Sequence, residues 1–431
     1  MTTTAATSAP TSSPGTSPPA PPPRPNVTGL RCRECGATRP LGTAHVCDEC
    51  WGPLEVVYDE AVTSGVTRAR IEAGPSSLWR YQDLLPVLSE DPADRIDLGT
   101  GFSRLHPAPR LAAAVGLEEL WLKDDTRNPS GSFKDRVVTV AFSAGRALGV
   151  ETFACASTGN LANAVAAHAA AWGVPAYVFI PDDLERGKVV TSAVYGANLV
   201  AVDGTYDDVN RLCAEVADVE GWGFVNVNLR AYYAEGSKSI GFEIAEQLGW
   251  RFPDHVVAPI ASGAMYSKIH KGFTELKHHG LVDGDLPRMS GAQALGCSPV
   301  AEAFERDSLD IKPQRPDTVA RSLAIGNPAD GYYALKTAQE TGGVIGAVTD
   351  EEIVAGIRLL AETEGIFAET AGGVTVANLK RFVDEGTIAP DERTVAVISG
   401  HGLKTVEAVE SEVGPTYEVS PSLDDFRSRI S

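Results

Sequence analysis

Between residues 119 and 300 the chain alternates short runs rich in β-branched and aromatic residues with longer amphipathic stretches, and this alternation restricts the fold more than any other feature. Strands are predicted at 119–123, 152–156, 175–180, 198–202, 223–227, 254–260 and 289–294. Helices are predicted at 134–147, 160–172, 188–195, 206–219, 235–248 and 266–279. Parallel strands need a long crossover, which a helix supplies, so the pattern implies an α/β protein with mostly parallel sheets. Ligands in such folds sit beyond the carboxyl ends of strands, so chemistry is sought where a strand hands over to a helix. At 431 residues there is room for two or three domains, and no repeat of solenoid period is present.

One strand-to-helix segment, Trp121–Arg136 (WLKDDTRNPSGSFKDR), concentrates several unusual choices. Asn128-Pro129-Ser130-Gly131-Ser132 is a turn-rich loop, and Ser132 is placed to cap a helix opening at Phe133-Lys134. Lys134 then lies in the first turn, where the dipole favours acids and destabilises an ammonium. An exposed solubilising lysine explains this as well as a functional one, yet a lowered pKa is what a Schiff-base lysine needs. Ala156-Ser157-Thr158-Gly159-Asn160 and Ile260-Ala261-Ser262-Gly263-Ala264-Met265 also follow strands and open helices, where free amides can hold anions. Either could be an ordinary helix start. His168, within the helix predicted at 160–172, is expected to be a packing residue with satisfied nitrogens.

Near the N-terminus, Cys32-x-x-Cys35 and Cys47-x-x-Cys50 are separated by eleven residues. Two such knuckles can set four thiolates around a structural zinc and staple residues 28–57, a segment too small for a core of its own. A metal-free ribbon and a redox dithiol remain open, and His45 is read as a solvated loop residue. Residues 1–27, almost all Thr, Ser, Pro and Ala, are expected to be a disordered tail. The formal charge of −20, from 37 basic and 57 acidic residues, argues against nucleic acid and anionic membranes as partners. No charge-free apolar run approaches roughly 20 residues, and seven cysteines suit a reducing compartment, so a cytoplasmic protein is expected.

The segments NPSGSFKDR (Asn128–Arg136) and ASTGN (Ala156–Asn160) together resemble the threonine synthase family of pyridoxal-phosphate enzymes. The similarity extends over most of residues 75–410, through SSLWRYQDLLP (Ser76–Pro86), YYAEGSKS (Tyr232–Ser239), IGNPA (Ile325–Ala329), TAGG (Thr370–Gly373) and SGHGLK (Ser399–Lys404). The resemblance implies two three-layer αβα domains around largely parallel sheets, known as PLP fold type II. A smaller lobe near 145–235 would nest in a larger one, with a tail at 411–431.

The resemblance also implies roles. Lys134 carries the cofactor, Asn160 bonds its ring oxygen, and Ser399 faces its pyridine nitrogen. Ala261, Ser262, Gly263, Ala264 and Met265 stand where the family cradles the phosphate, although the family's loop is richer in glycine. Ser157 and Thr158 would take the substrate carboxylate, with Asn128, Ser132 and Arg230 near its phosphate. Lys123, Ser130, Arg136 and Lys238 are further candidates to line an anionic pocket, where surface solvation explains each equally well. Many members place an arginine where this chain has Tyr233.

The expected activity is conversion of O-phospho-L-homoserine and water to L-threonine and phosphate, by a homodimer whose partner is a small phosphorylated amino acid. A β-replacing or eliminating enzyme on phosphoserine, serine or threonine is the alternative. A catalytically inactive zinc-ribbon binding protein is the distant one.

Overall fold

The computed structural model describes residues 24–430, apart from 45, 158, 182–185 and 204–205. The tail expected over residues 1–27 therefore lies largely outside the described residues, as do Thr158 and His45. Asn26, placed in that tail from sequence, is buried instead, and its side-chain amide donates to the carbonyls of Gln82, Asp83 and Leu85.

Three sheets organise the described chain. The N-terminal one is antiparallel and comprises β1 (Val27–Cys32), β2 (Thr38–Arg39) and β3 (Leu54–Tyr58), in the order β2-β1-β3. The largest draws on β4 (Arg104–Pro107) and β5 (Leu120–Asp124). A smaller sheet follows, from β6 (Phe153–Ala156), β7 (Ala176–Pro181), β8 (Asn198–Val202) and β9 (Gly223–Phe224), ordered β8-β7-β6-β9 and parallel throughout. The chain then returns to the largest sheet with β10 (His255–Pro259), β11 (Arg288–Ala294), β12 (Ile345–Val348) and β13 (Thr394–Ile398). Its order is β12-β11-β10-β13-β5-β4, parallel except for the antiparallel edge strand β4. This is the α/β architecture with largely parallel sheets that the alternation implies.

Burial explains the pairing. Every residue of β6, β10 and β13 is buried, as expected of parallel strands covered by helices on both faces. The helix Lys134–Ala147 packs Val137, Val138, Val140, Ala141, Phe142 and Ala144 at 0–1% exposure, and each larger side chain contributes about 1.5–3 kcal/mol. Phe142 stacks on Phe153 at 3.9 Å, joining that helix to the smaller sheet.

The helix predicted at 235–248 spans Lys238–Gln247, and a separate short helix that was not predicted, Arg230–Glu235, precedes it with the break at Gly236. A Cβ on Gly236 would come within 2.5 Å of the Arg136 carbonyl and 2.7 Å of Val137 Cα, so the chain passes there only without a side chain. At the C-terminus, Leu423–Ile430 forms a helix with no buried residue. Among the described residues, no helix is long and apolar enough to cross a membrane.

Candidate active site

Three neighbouring strands of the largest sheet, β10, β13 and β5, release their chains at the same edge. The segments that follow are Ile260–Met265, Ser399–Lys404 and Asp125–Ser132, three of the four singled out from sequence. The fourth, Ser157–Asn160, leaves the matching end of β6. The turns are laced to one another by backbone hydrogen bonds. Phe133 N–H donates to Ser399 O at 2.8 Å and His401 N–H to Gly131 O at 2.9 Å. On its other side the Ser399–Gly402 turn accepts from Glu369 N–H and donates from Gly402 to Phe367 O.

Lys134 stands at this junction, half-buried at the start of its helix. Its Nζ donates to Tyr233 Oη at 2.9 Å and lies 4.6 Å from the Phe133 ring centroid. Ser132 does not cap the helix, contrary to the sequence reading. Phe133 holds the cap position, and Ser132 Oγ is buried without a partner among the described residues. The reason is the lacing: residues 131–133 are held against Ser399–His401, which turns the Ser132 side chain away from the helix amides. Asp135 ties the loop from the other side, accepting from Ser130 N–H at 2.8 Å.

Asn160 and Ser399 meet through a residue that sequence reasoning passed over. Asn160 Nδ2 donates to Glu369 Oε2 at 2.7 Å, and Ser399 Oγ donates to Glu369 Oε1 at 3.1 Å. Burial pushes the Glu369 carboxyl up, opposed by the Asn160 amide, the charge of Lys404, the Ser399 hydroxyl and the charge of Lys134. Glu369 stands at the N-cap of the helix Thr370–Asp384, where Ser, Thr, Asp or Asn is the usual choice, and it makes no capping bond. Its side chain is thereby free to reach the two anchors.

The loop before the helix Ala264–His278 has fewer glycines than the family pattern, and its backbone shows why that is tolerated. Only Gly263 adopts positive φ, at 95°, so Ala261, Ser262, Ala264 and Met265 carry no left-handed strain. A Cβ on Gly263 would lie 2.5 Å from Asp330 O. Asp330 N–H in turn donates to Ser262 O at 2.8 Å, so this turn is clamped. The first-turn amides of the helix have no intrahelical acceptors, which makes this N-terminus a ready anion site.

Other candidates are differently employed. Arg230 pairs with Asp330, beside the Ser262–Gly263 turn. Asn128 is 6% exposed, accepts from Gly101 N–H at Oδ1 and donates from Nδ2 to Asp125 O at 3.4 Å, so it braces two loops. Ser157 is half-buried, its backbone N–H on Phe179 O. Lys123, Arg136 and Lys238 do not line an anionic pocket. All three are fully buried in ion pairs, Lys123 on Glu243 at 2.6 Å, Arg136 on Asp125 at 2.7 Å and Lys238 on Glu235 at 2.6 Å. Burial alone would raise the Glu243 carboxyl, but Arg136 and Lys123 bring it down to about 2. His168 is the packing residue expected, accepting and donating between Thr139 and the Ala164 carbonyl, with burial holding its pKa down at about 4.

Residues 96–400 match the family described as pyridoxal-phosphate dependent enzyme. The threonine synthase of Methanocaldococcus jannaschii is 38% identical over 381 residues, spanning 88% of this chain and 93% of that protein. The threonine synthase of Methanosarcina acetivorans is 37% identical over 404 residues, spanning 93% and 98%. Among solved structures, diaminopropionate ammonia lyase from Escherichia coli superposes with a TM-score of 0.61 at 17% identity, over 74% of this chain and 92% of that one. Threonine deaminase isoform 2 from Solanum lycopersicum gives 0.60 at 21%, over 72% and 82%, and both share the fold. With identity this high over nearly the whole chain, the fold shared and the four turns gathered about one lysine, the chain belongs to the threonine synthase family of pyridoxal-phosphate dependent enzymes.

Proposed function

We propose that this protein is a threonine synthase, converting O-phospho-L-homoserine and water to L-threonine and inorganic phosphate. The observation that carries the reading is the near full-length identity to two threonine synthases. The fit of the site to pyridoxal phosphate rests on the chain's own groups. A half-buried amine opens one helix, a glycine leads into another, and the hydroxyls of Ser132, Ser267 and Thr370 are buried without partners among the described residues. A group bearing an aldehyde, a phosphate and ring heteroatoms suits those donors.

Bound there, pyridoxal phosphate supplies an electron sink that acidifies the α and β positions of an amino acid. In this reading Lys134 would hold the cofactor through its amine, and its free amine would carry protons at those carbons. Tyr233, in contact with that amine, keeps it aimed at the junction. The helix amides behind Gly263 take the cofactor phosphate, while Asn160 and Ser399 fix opposite edges of the ring. Ser157 and Thr158 hold the substrate carboxylate, and Arg230 takes the substrate phosphate by exchanging Asp330 for it. The ester bond breaks at the γ carbon and phosphate departs with the bonding electrons. Lys134 returns to the γ carbon the proton taken at the β carbon, and water adds its OH at the β carbon while its proton restores the α position.

A homodimer and a cytoplasmic location belong to the same reading, and light scattering tests the first. The function is tested by borohydride reduction and a substrate panel. A reduced pyridoxyl adduct on Lys134, with threonine and phosphate released in equal amounts from phosphohomoserine, is expected. Turnover of phosphoserine alone moves the reading to β-elimination, and full activity in Lys134→Ala removes it.

A further inference from the structure

The N-terminal sheet carries a second cluster of reactive side chains. The sulfurs of Cys32, Cys35, Cys47 and Cys50 lie within 4.8 Å of one another, with Cys32 to Cys50 at 3.4 Å and Cys35 to Cys47 at 3.7 Å. A disulfide would bring two sulfurs to about 2 Å. Four thiolates about 2.3 Å from one tetrahedral zinc stand roughly 3.8 Å apart, close to the separations found.

The two loops bearing these cysteines repeat each other bond for bond. Gly36 N–H donates to Cys32 O as Trp51 N–H does to Cys47 O, and Cys32 N–H donates to Ala37 O as Cys47 N–H does to Gly52 O. The residue after each second cysteine is left-handed, Gly36 at φ 75° and Trp51 at φ 61°. A tryptophan rarely adopts that conformation, and this one is 79% exposed, so packing of its ring does not enforce it. The equivalence of the knuckles does: both are shaped to present paired sulfurs to a common point.

The ribbon's contacts lead towards Lys134. Arg33 and Glu34, the two residues inside the first knuckle, hold Tyr333, the guanidinium stacked 3.4 Å from its ring centroid and the carboxylate accepting its hydroxyl. Tyr333 lies one turn beyond Asp330, which clamps Ser262 and pairs with Arg230. Between the knuckles, Gly42 O accepts from Tyr232 Oη at 3.1 Å, and Tyr232 precedes Tyr233. Leu30, Cys32, Cys47, Leu54 and Val56 share one buried cluster with Val137, Tyr232 and Tyr233.

We propose that the four cysteines bind one zinc ion, and that this ion, by fixing the knuckles against Tyr333 and Tyr232, positions Tyr233, Arg230 and the Ser262–Gly263 turn. The ribbon has too little core to hold that shape alone, and a structural metal supplies the missing folding energy. The coupling rests on the reading of the Lys134 site given above, whereas the metal site does not.

The full-length holoenzyme tests both parts. Elemental analysis is expected to give one zinc per chain, and metal-free protein with every thiol titratable, or iron in place of zinc, overturns the site. Removing zinc with a chelator, or replacing Cys35 and Cys50 by serine, is expected to weaken pyridoxal-phosphate affinity and raise KM at least about tenfold, with kcat less affected. Added zinc should reverse the chelator's effect. Tyr333→Phe retains zinc and is expected to move the same two constants in the same direction, which carries the test if the cysteine variant fails to fold. Zinc-free protein with unchanged cofactor affinity and KM overturns the coupling. Metal content and cofactor affinity are read without substrate, so an error in the assigned reaction cannot be mistaken for either failure.

Discussion

Replacing Glu369 by Gln tests whether one buried carboxylate organises both edges of the cofactor site. The carboxylate accepts from Asn160 at 2.7 Å and from Ser399 at 3.1 Å. A glutamine can accept at only one end. Asn160 keeps its bond when the glutamine oxygen faces it, and the introduced NH2 then faces Ser399. The Ser399 hydroxyl then switches from donating to the carboxylate to accepting from the introduced amide, and its proton turns towards the ring nitrogen it is proposed to meet.

For the free protein the opposing terms nearly cancel. Two bonds to a charged group, about 1.5–3 kcal/mol each, become neutral ones of about 0.5–1.5 kcal/mol. The loss is offset by relief of the burial that raises the Glu369 carboxyl. For the loaded site nothing offsets the reversed hydroxyl. A lost or inverted ring contact of about 1.4–2.8 kcal/mol lowers kcat/KM by roughly ten- to a hundredfold. The assays are urea unfolding, absorbance titration with pyridoxal phosphate, and steady-state kinetics, alone and combined with Ser399→Ala. Because Glu369 acts through Ser399, the double variant should be no worse than the worse single one. Cofactor spectrum and kcat/KM within about twofold of wild type, or fully additive losses, would refute the reasoning.

Asp135→Asn should remove a pH dependence. Burial lifts the Asp135 carboxyl from 3.8 to about 6, and its nearest histidine, His168, is neutral and 3.6 Å away. The native state therefore holds the proton longer than the unfolded one, so wild-type stability falls as pH rises from 4 to 6, by about 3 kcal/mol at 1.36 kcal/mol per unit. The Asn variant can still accept from Ser130 N–H and should lack that fall; parallel unfolding curves across this range count against it. Arg136→Met leaves Asp125 buried without its cation and Glu243 with Lys123 alone, and should cost about 3–5 kcal/mol in urea unfolding. Above the ordinary Glu range the Glu243 pair contributes fully, and its contribution is lost as pH falls towards about 2. An Arg136→Met loss below about 1 kcal/mol would mean the cluster relaxes. Gly263→Ala forces positive φ on a Cβ aimed at Asp330 O, about 1–3 kcal/mol of strain. Cofactor affinity should weaken accordingly, and unchanged affinity would place the phosphate elsewhere.

Much of the site was legible because its parts are local. The Lys134–Ala147 and Asn160–Trp172 helices fall at the predicted bounds, although 135–145 and 161–169 are buried on every face, so length and flanking turns rather than a one-sided apolar stripe mark them. The edge elements were harder. β12 has only two fully buried residues of four and carries little apolar pattern, and β4 pairs antiparallel with β5 for reasons its own residues do not show. Lys123, Arg136 and Lys238 looked like an anionic pocket because sequence displays charges but not their partners. Their carboxylates lie from three to 120 residues away in sequence.

From its sequence alone the chain was committed to alternating strands and helices, to turns of small and polar residues at strand ends, to a lysine at a helix mouth and to paired cysteine knuckles, because each depends on neighbours along the backbone. Tertiary structure decided which groups meet. Glu369 joins Asn160 to Ser399, Tyr233 meets Lys134, and the first knuckle settles on Tyr333. Hydrogen bonds and ion pairs act over a few ångströms of space, and only the packing of distant segments brings these partners within that reach.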